Sequence, residues 1–395
     1  MEATMSKFTA GQRAARATLR AAAASRRSIL KSATALGAVG LLAPAFSRSA
    51  LSSSGELLWF TWEDYAPQPL VDKFIADTGI DFKVTTFSSN EDQLNKLKAA
   101  SGSGWDLATP SVAWVPAHVE NGNLQPLDMA RVTNIGNMFP SILTQSETLG
   151  AIVDGARYAL PYDWGTEALA YNTEKTQLEY GKASFGDLWA EQYKGLMLCR
   201  QRSIMLGTGL WLEGEGKLPE GTMRKAYDDE AAFDLGYGTA ADYVIANKAQ
   251  IINWWKGTAD TQSGFEQDGA VIGQTWDGPI FQLKNQGRPY NYLAPKEGAL
   301  AWIDTIAMTA GAVNIEQAYA FINWSLLPEN GGLASDNTTY NSVVQGFDAY
   351  VSESFKKNFA DAYPGDAIDK LWMQGIEATW FLEKRQGLVD KISAA

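Results

Sequence analysis

The chain has little of what most catalytic and metal-binding motifs are built from. It holds one cysteine, Cys199, and one histidine, His118, in 395 residues. A single cysteine excludes an intramolecular disulfide and a cysteine-based zinc site; a single histidine excludes a His-paired metal motif. A Ser-His-Asp triad would have only His118 to draw on. There is no Gly-x-Gly-x-x-Gly, no Walker loop and no Gly-x-Ser-x-Gly elbow. Basic residues are scarce, 33 against 45 acidic, for a net charge of −12. The first 45 residues hold seven of the basic residues and one acid, so the rest of the chain carries a net −18. Charge of that sign repels nucleic-acid phosphates and anionic lipid. Beyond the N-terminal segment no run of about 18 apolar residues occurs, so no membrane span is expected. Carboxylates are abundant and carry no motif label, so paired-carboxylate hydrolysis stays open on sequence grounds.

What is present begins with an address. Residues 25–31 read Ser-Arg-Arg-Ser-Ile-Leu-Lys, an apolar run follows over 33–43, and Ala43-Pro44-Ala45 is a small-x-small site. A basic region, a short apolar region and a cleavage site in this order predict a signal peptide over 1–45, cut after Ala45, and a periplasmic location. The paired arginines resemble the twin-arginine export signal, with Ile29 where Phe is most usual.

The chain after the leader alternates strand and helix patterns. Strands are predicted at 56–61, 81–87 and 105–108. Between them lie a helix opened by Pro67 and Pro69 and stopped by Gly79, and a second helix capped by Asn90. Another helix leads to Gly122. This rhythm means a mostly parallel α/β sheet, with ligands beyond the carboxyl ends of the strands. Residues 158–172 are aromatic and extended, punctuated by Pro161 and Gly165, as for a segment crossing between lobes. A second block follows, with strands at 196–199 and 270–276 and helices near 201–213, 222–248 and 278–286. Two strands are expected in 290–312 and helices from Asn314 onward. Lobe 1 is assigned 56–165 and 277–312, and lobe 2 is assigned 166–276 and 313–395. Crossings are expected near 162–172, Asp277 and 310–314. His118 is expected on a helix surface and Cys199 in a buried strand.

All 14 tryptophans lie after residue 58. Trp189, Trp211, Trp324, Trp372 and Trp380 sit in helical patterns and are assigned to packing. Four clusters differ, because each pairs an aromatic with an acid at a predicted strand end. They are Trp62-Glu63-Asp64-Tyr65, Asp163-Trp164 with Glu167, Trp276-Asp277 and Trp302-Ile303-Asp304. An aromatic face attracts an organic cation and a carboxylate adds a charge-assisted hydrogen bond, so the pairing suits an amine.

Taken in order, these segments resemble the periplasmic spermidine/putrescine-binding proteins of bacterial ABC importers, from about Leu57 to at least Tyr340. The resemblance is carried by Trp62-Glu-Asp-Tyr65, Ser89-Asn90-Glu91, Trp105-Asp106-Leu107 with Pro110-Ser111, Pro161-Tyr-Asp-Trp-Gly165, Asp187-Leu-Trp189 with Tyr193-Lys-Gly195, Trp276-Asp-Gly278, Pro295-Lys-Glu-Gly298, Trp302-Ile-Asp304 and Phe321-Ile-Asn-Trp324. It implies an α/β, type II-like periplasmic binding fold of two lobes, with the ligand in the cleft between them. It also implies transport rather than catalysis, with no cofactor and no metal. The partners would be a small amine-containing ligand and an inner-membrane permease with its ATPase, and the receptor a monomer. The rival readings are a secreted enzyme or a sensory receptor on a similar scaffold. Family binding positions carry over onto Trp62, Asp64, Tyr65, Ser111, Trp276 with Asp277, Trp302 with Asp304, and Tyr340. One departure stands out. Where polyamine binders offer carboxylates after the strand following Tyr-Lys-Gly, this chain reads Cys199-Arg200-Gln201-Arg202-Ser203. Arg200 and Arg202 either meet a carboxylate or phosphonate of the ligand or point to solvent.

Overall fold

The computed structural model describes residues 55–395. The expected export segment, 1–45, lies outside the described residues. Strand β1 (Glu56–Trp62) is apolar and buried on both faces from Leu57 onward in all but one position, as a central parallel strand must be. It lies between β2 (Asp81–Phe87) and β3 (Leu107–Ala108), parallel to both. Helix α1 (Gln68–Thr78) begins after Pro67 and ends on left-handed Gly79, whose φ is 74°. Helix α2 (Asn90–Ala99) is capped by Ser89, whose hydroxyl accepts from the Asp92 N–H, and not by Asn90 as expected. Asn90 is free to reach across to Ser111 instead.

The expected crossing segment is one long strand, β4 (Ala159–Asn172). The second block supplies β5 (Met197–Cys199), α3 (Gln201–Gly214), α4 (Glu230–Ala246), β6 (Ile251–Trp254), α5 (Thr258–Glu266), β7 (Ile272–Trp276) and α6 (Asp277–Asn285). It continues with β8 (Tyr290–Leu293) and β9 (Leu300–Thr309). The main sheet runs β2-β1-β3-β9-β4-β7-β5-β6. Its two outer thirds are parallel. The central strands β9 and β4 are antiparallel to each other and to their outer neighbours β3 and β7. The parallel rule therefore holds within each lobe and breaks at the strands that join them.

Two large cores flank that junction. One gathers Trp59, Phe60, Phe74, Phe82, Ile306, Phe321 and Trp324; the other gathers Phe185, Met205, Phe233, Tyr237, Ile272 and Phe381. A third cluster, with Trp255, Ile280 and Tyr292, packs on the opposite face of the second block. This corrects the expected lobe boundaries. Helix α7 (Ile315–Ser325) turns Phe321 onto Trp59, with ring centroids 5.0 Å apart, and Trp324 onto Phe74 at 5.3 Å. It belongs with the first lobe, as does α8 (Pro328–Thr338), which faces α1. Residues 277–293 belong with the second lobe, because β7 runs straight into α6 with no crossing at Asp277. The return crossings are β9 and the stretch after Ser342 that leads to α9 (Glu353–Ala362), which packs on β8 and α6. The last helix, α10 (Thr379–Ala394), packs on α4 and α3.

His118 corrects another expectation. It is fully buried in the short helix Val115–Glu120, facing the Asn123 amide, and burial lowers its pKa to about 3. Cys199 is buried in β5 as expected. None of the described helices is long and apolar enough to cross a membrane.

Candidate functional site

Residues from both cores line one cleft. Its cavity volume is about 80 Å³, space for several waters and so for a small organic molecule. Nine of the ten positions singled out in the sequence line it: Trp62, Asp64, Tyr65, Ser111, Arg200, Trp276, Trp302, Asp304 and Tyr340. The turn after β1 brings the first three there, closed by the Tyr65 N–H donating to the Trp62 carbonyl. Asp304 sits in β9 where the register with β4 shifts between Asp304 and Thr305. Such a bulge re-aims side chains beside a site. The shift sets Asp304 against Asp163 on β4, and the Tyr65 hydroxyl donates to Asp304 Oδ2 at 2.6 Å. Asp304 Oδ1 and Asp163 Oδ1 are buried without a hydrogen-bond partner. Burial raises both carboxyls, and Asp304 reaches about 6; Asp163 is pushed well above the carboxylate range by burial and by the Asp304 charge. The two carboxylates oppose each other across the β4–β9 pair, so the charge on one makes the charge on the other more costly.

Five aromatic rings stand around this carboxylate. Trp62 meets Trp276 edge to face at 6.0 Å and Tyr65 at 6.5 Å. Tyr340 meets Tyr65 at 5.7 Å and Trp302 at 5.1 Å. Two glycines make room for them. A Cβ on Gly165 would lie 2.5 Å from the Trp302 ring, and one on Gly278 would lie 2.6 Å from the Tyr340 ring. That explains the Gly in Asp163-Trp164-Gly165 and in Trp276-Asp277-Gly278.

Asp277 is the exception among the sequence-identified residues. It is fully buried behind Trp302 and does not line the cleft. Its oxygens accept from the Tyr363 hydroxyl at 2.7 Å and from the Gly278 and Thr166 N–H groups. Burial nevertheless pushes its pKa up to about 7. The sequence places Asp277 next to a cleft tryptophan, but the first turn of α6 carries its side chain inward. Asp163 likewise lies behind the cleft wall, whereas Glu167 lines it and receives the Gln274 amide.

Arg200 lies at the end of β5, immediately before α3. Its Cζ is 5.1 Å from the Trp255 ring and 5.0 Å from the Trp276 ring. Burial and the Arg202 charge lower its pKa to about 10, so it stays cationic at neutral pH. Arg202 is used differently. It pairs with Glu91 of α2 at 3.1 Å and with Glu377 at 3.6 Å. Arg385 of α10 completes the group, 2.5 Å from Glu377 and 3.3 Å from Glu91. Burial alone would raise Glu91, but Arg202, Arg385 and Arg200 hold it at about 2. Glu91 belongs to the first lobe and its partners to the second, so the network ties the lobes together. Asp64 adds a second tie by accepting from the Thr258 hydroxyl of α5. Burial raises Asp64, and the Thr258 bond opposes that rise. Thr258, Glu377 and Arg385 had no sequence signal, because each enters through a long-range contact. Among the described residues no group of acids, histidines or cysteines could hold a metal ion.

Two lobes closing on an aromatic cleft define a ligand-binding protein of the two-lobed periplasmic class. The model of the family described as bacterial extracellular solute-binding protein matches residues 69–362, and the chain belongs to that family. The Escherichia coli spermidine/putrescine-binding periplasmic protein is 28% identical over 297 residues, 74% of this chain and 78% of its own length. The Escherichia coli putrescine-binding periplasmic protein is 27% identical over 327 residues, 79% of this chain and 84% of its own. The solved structure of a putative spermidine/putrescine ABC transporter from Listeria monocytogenes has the same fold, with a TM-score of 0.71 at 22% identity, over 86% of this chain and 99% of that one.

Proposed function

We propose that this chain is the periplasmic receptor of an ABC importer and captures a small molecule bearing a cationic amine. One observation carries the reading. A buried carboxylate, Asp304, has one oxygen held by Tyr65 and the other without a partner, inside the cage of Trp62, Tyr65, Trp276, Trp302 and Tyr340. An ammonium group fits it on two counts. It donates to the free carboxylate oxygen, and its flanking methylenes pack on the rings, where cation–π attraction adds about 0.5–2 kcal/mol. Asp64 would take a second donor of the same amine. The names of the relatives support the amine class.

Delivery would be to an inner-membrane permease with its ATPase, the receptor acting as a monomer. Release follows from opening, since ligand shifts the balance only through contacts that improve on closure. Export would use Arg26 and Arg27, and replacing both with Lys should leave the precursor in the cytoplasm. Calorimetry with small amines tests the binding reading. Binding of a neutral sugar, unaffected by Asp304→Asn, would overturn it.

A further inference from the structure

Resting on that amine-receptor reading, we infer that the ligand is a zwitterion, whose carboxylate is bound by Arg200 while its ammonium lies against Asp304. The guanidinium of Arg200 lines the cleft between two indole rings. Among the described residues no carboxylate oxygen lies within ion-pair distance of it, and it takes no hydrogen bond within the protein. The neighbouring acids are already engaged. Glu91 and Glu377 serve Arg202 and Arg385, and Glu167 holds the Gln274 amide. Three carboxylates, Glu91, Glu167 and Glu377, face the three guanidinium groups of Arg200, Arg202 and Arg385, and Arg200 is the one whose N–H donors are left without a direct acceptor, so this end of the cleft is short of an acceptor oxygen.

Further donors in the cleft lack acceptors. The Ser203 hydroxyl, three residues on from Arg200, is buried without a partner, and so, toward the Asp304 end, are the indole N–H groups of Trp62 and Trp302. An indole N–H can only donate. A fully protonated diamine has no lone pair to offer these groups, whereas a carboxylate has four acceptor sites. The N-terminus of α3 adds its partial positive charge here, and its first turn contains no acid to cancel it.

The two ends are connected. Trp276 touches Arg200 on one side and meets Trp62 on the other, and Trp62 leads through Tyr65 to Asp304. A short carbon chain laid along Trp276 and Trp62 would carry an ammonium at one end and a carboxylate at the other. A linear diamine would instead set its second ammonium against Arg200, where like charges repel at low dielectric.

Calorimetry of the purified full-length mature protein decides the matter with four probes of similar length: γ-aminobutyrate, putrescine, butyrate and 3-aminopropylphosphonate. The expected result is that γ-aminobutyrate binds more tightly than putrescine. In Arg200→Met its affinity should fall on the order of ten- to a hundredfold, while that for putrescine rises. Arg200→Lys, which keeps the charge and loses the planar fork, should give an intermediate loss and serves if the Met variant does not fold. Tighter binding of putrescine than of γ-aminobutyrate, indifferent to Arg200→Met, overturns the zwitterion and leaves the amine receptor standing. Butyrate equal to γ-aminobutyrate overturns the amine receptor itself. Phosphonate tighter than γ-aminobutyrate overturns the choice of carboxylate.

Discussion

Replacing Asp304 with Asn should move affinity and stability in opposite directions. The carboxylate is 3% exposed. Its Oδ2 accepts from Tyr65, and its Oδ1 has no protein partner. Losing the charge removes one charge-assisted hydrogen bond to an ammonium, about 1.5–3 kcal/mol, or roughly ten- to a hundredfold in affinity. Stability moves the other way. Burial raises Asp304 from 3.8 to about 6. A carboxyl raised in the folded state holds its proton more tightly than in the unfolded chain. Its cost is absent below the unfolded value and grows as pH rises toward the folded one, to about 3 kcal/mol above pH 6. Asn carries no charge, and its amide can donate to the partnerless Asp163 Oδ1 across the β4–β9 pair. The ligand-free Asp304→Asn protein should therefore melt higher than wild type at pH 7.5 while binding the amine more weakly. The affinity profile should change as well. In wild type, cation binding should weaken as pH falls through about 6, because the carboxylate protonates; in Asp304→Asn that dependence should vanish. Calorimetry across pH 5–8 with scanning melts of both proteins makes the test. Unchanged affinity with an unchanged pH profile would refute the assignment of Asp304 as the ammonium site.

Asp277→Asn should leave affinity near the wild-type value, because Asp277 lies outside the cleft; it takes an acceptor from one of three donors but also removes a buried charge whose pKa burial raises to about 7, so its melting temperature relative to wild type should improve as pH rises from 5 to 8; weakened binding would return Asp277 to the cleft. Glu91→Gln removes the first-lobe partner of Arg202 and Arg385, so solution scattering at sub-saturating ligand should show a larger radius of gyration than for wild type. The Glu91 contribution belongs to a carboxylate held at about 2, so it is present above the unfolded value of 4.5 and lost as pH falls toward 2. Gly165→Ala should drive the Trp302 ring from its seat and weaken ligand binding while the sheet stays intact, read by calorimetry against circular dichroism.

The two-lobed architecture was legible because local patterns carry it. Apolar β1, the Pro67 entry and Gly79 stop of α1, and the aromatic stretch 158–172 each reflect a constraint satisfied within a few residues. Lobe membership after residue 276 was not legible. Whether α7 packs on Trp59 or on the second core depends on the path of β9, and helix periodicity gives the apolar face without its partner. The same division holds in the site. Aromatic and acid neighbours at strand ends pointed to the cleft, and eight of those eleven side chains line it. Asp277 was misread because adjacency in sequence does not fix direction at a strand-to-helix turn, where Trp276 and Asp277 diverge. Arg202 looked equivalent to Arg200, yet only Arg202 finds Glu91 and Glu377, acids that lie 111 residues before it and 175 after it.

Native mass spectrometry of the protein isolated from its own periplasm, with the released small molecule identified, tests the central claim most directly. One bound molecule of low mass is expected, carrying a basic amine and, if Arg200 holds a carboxylate, an acidic group as well. A neutral sugar or a metal ion in the cleft would contradict it.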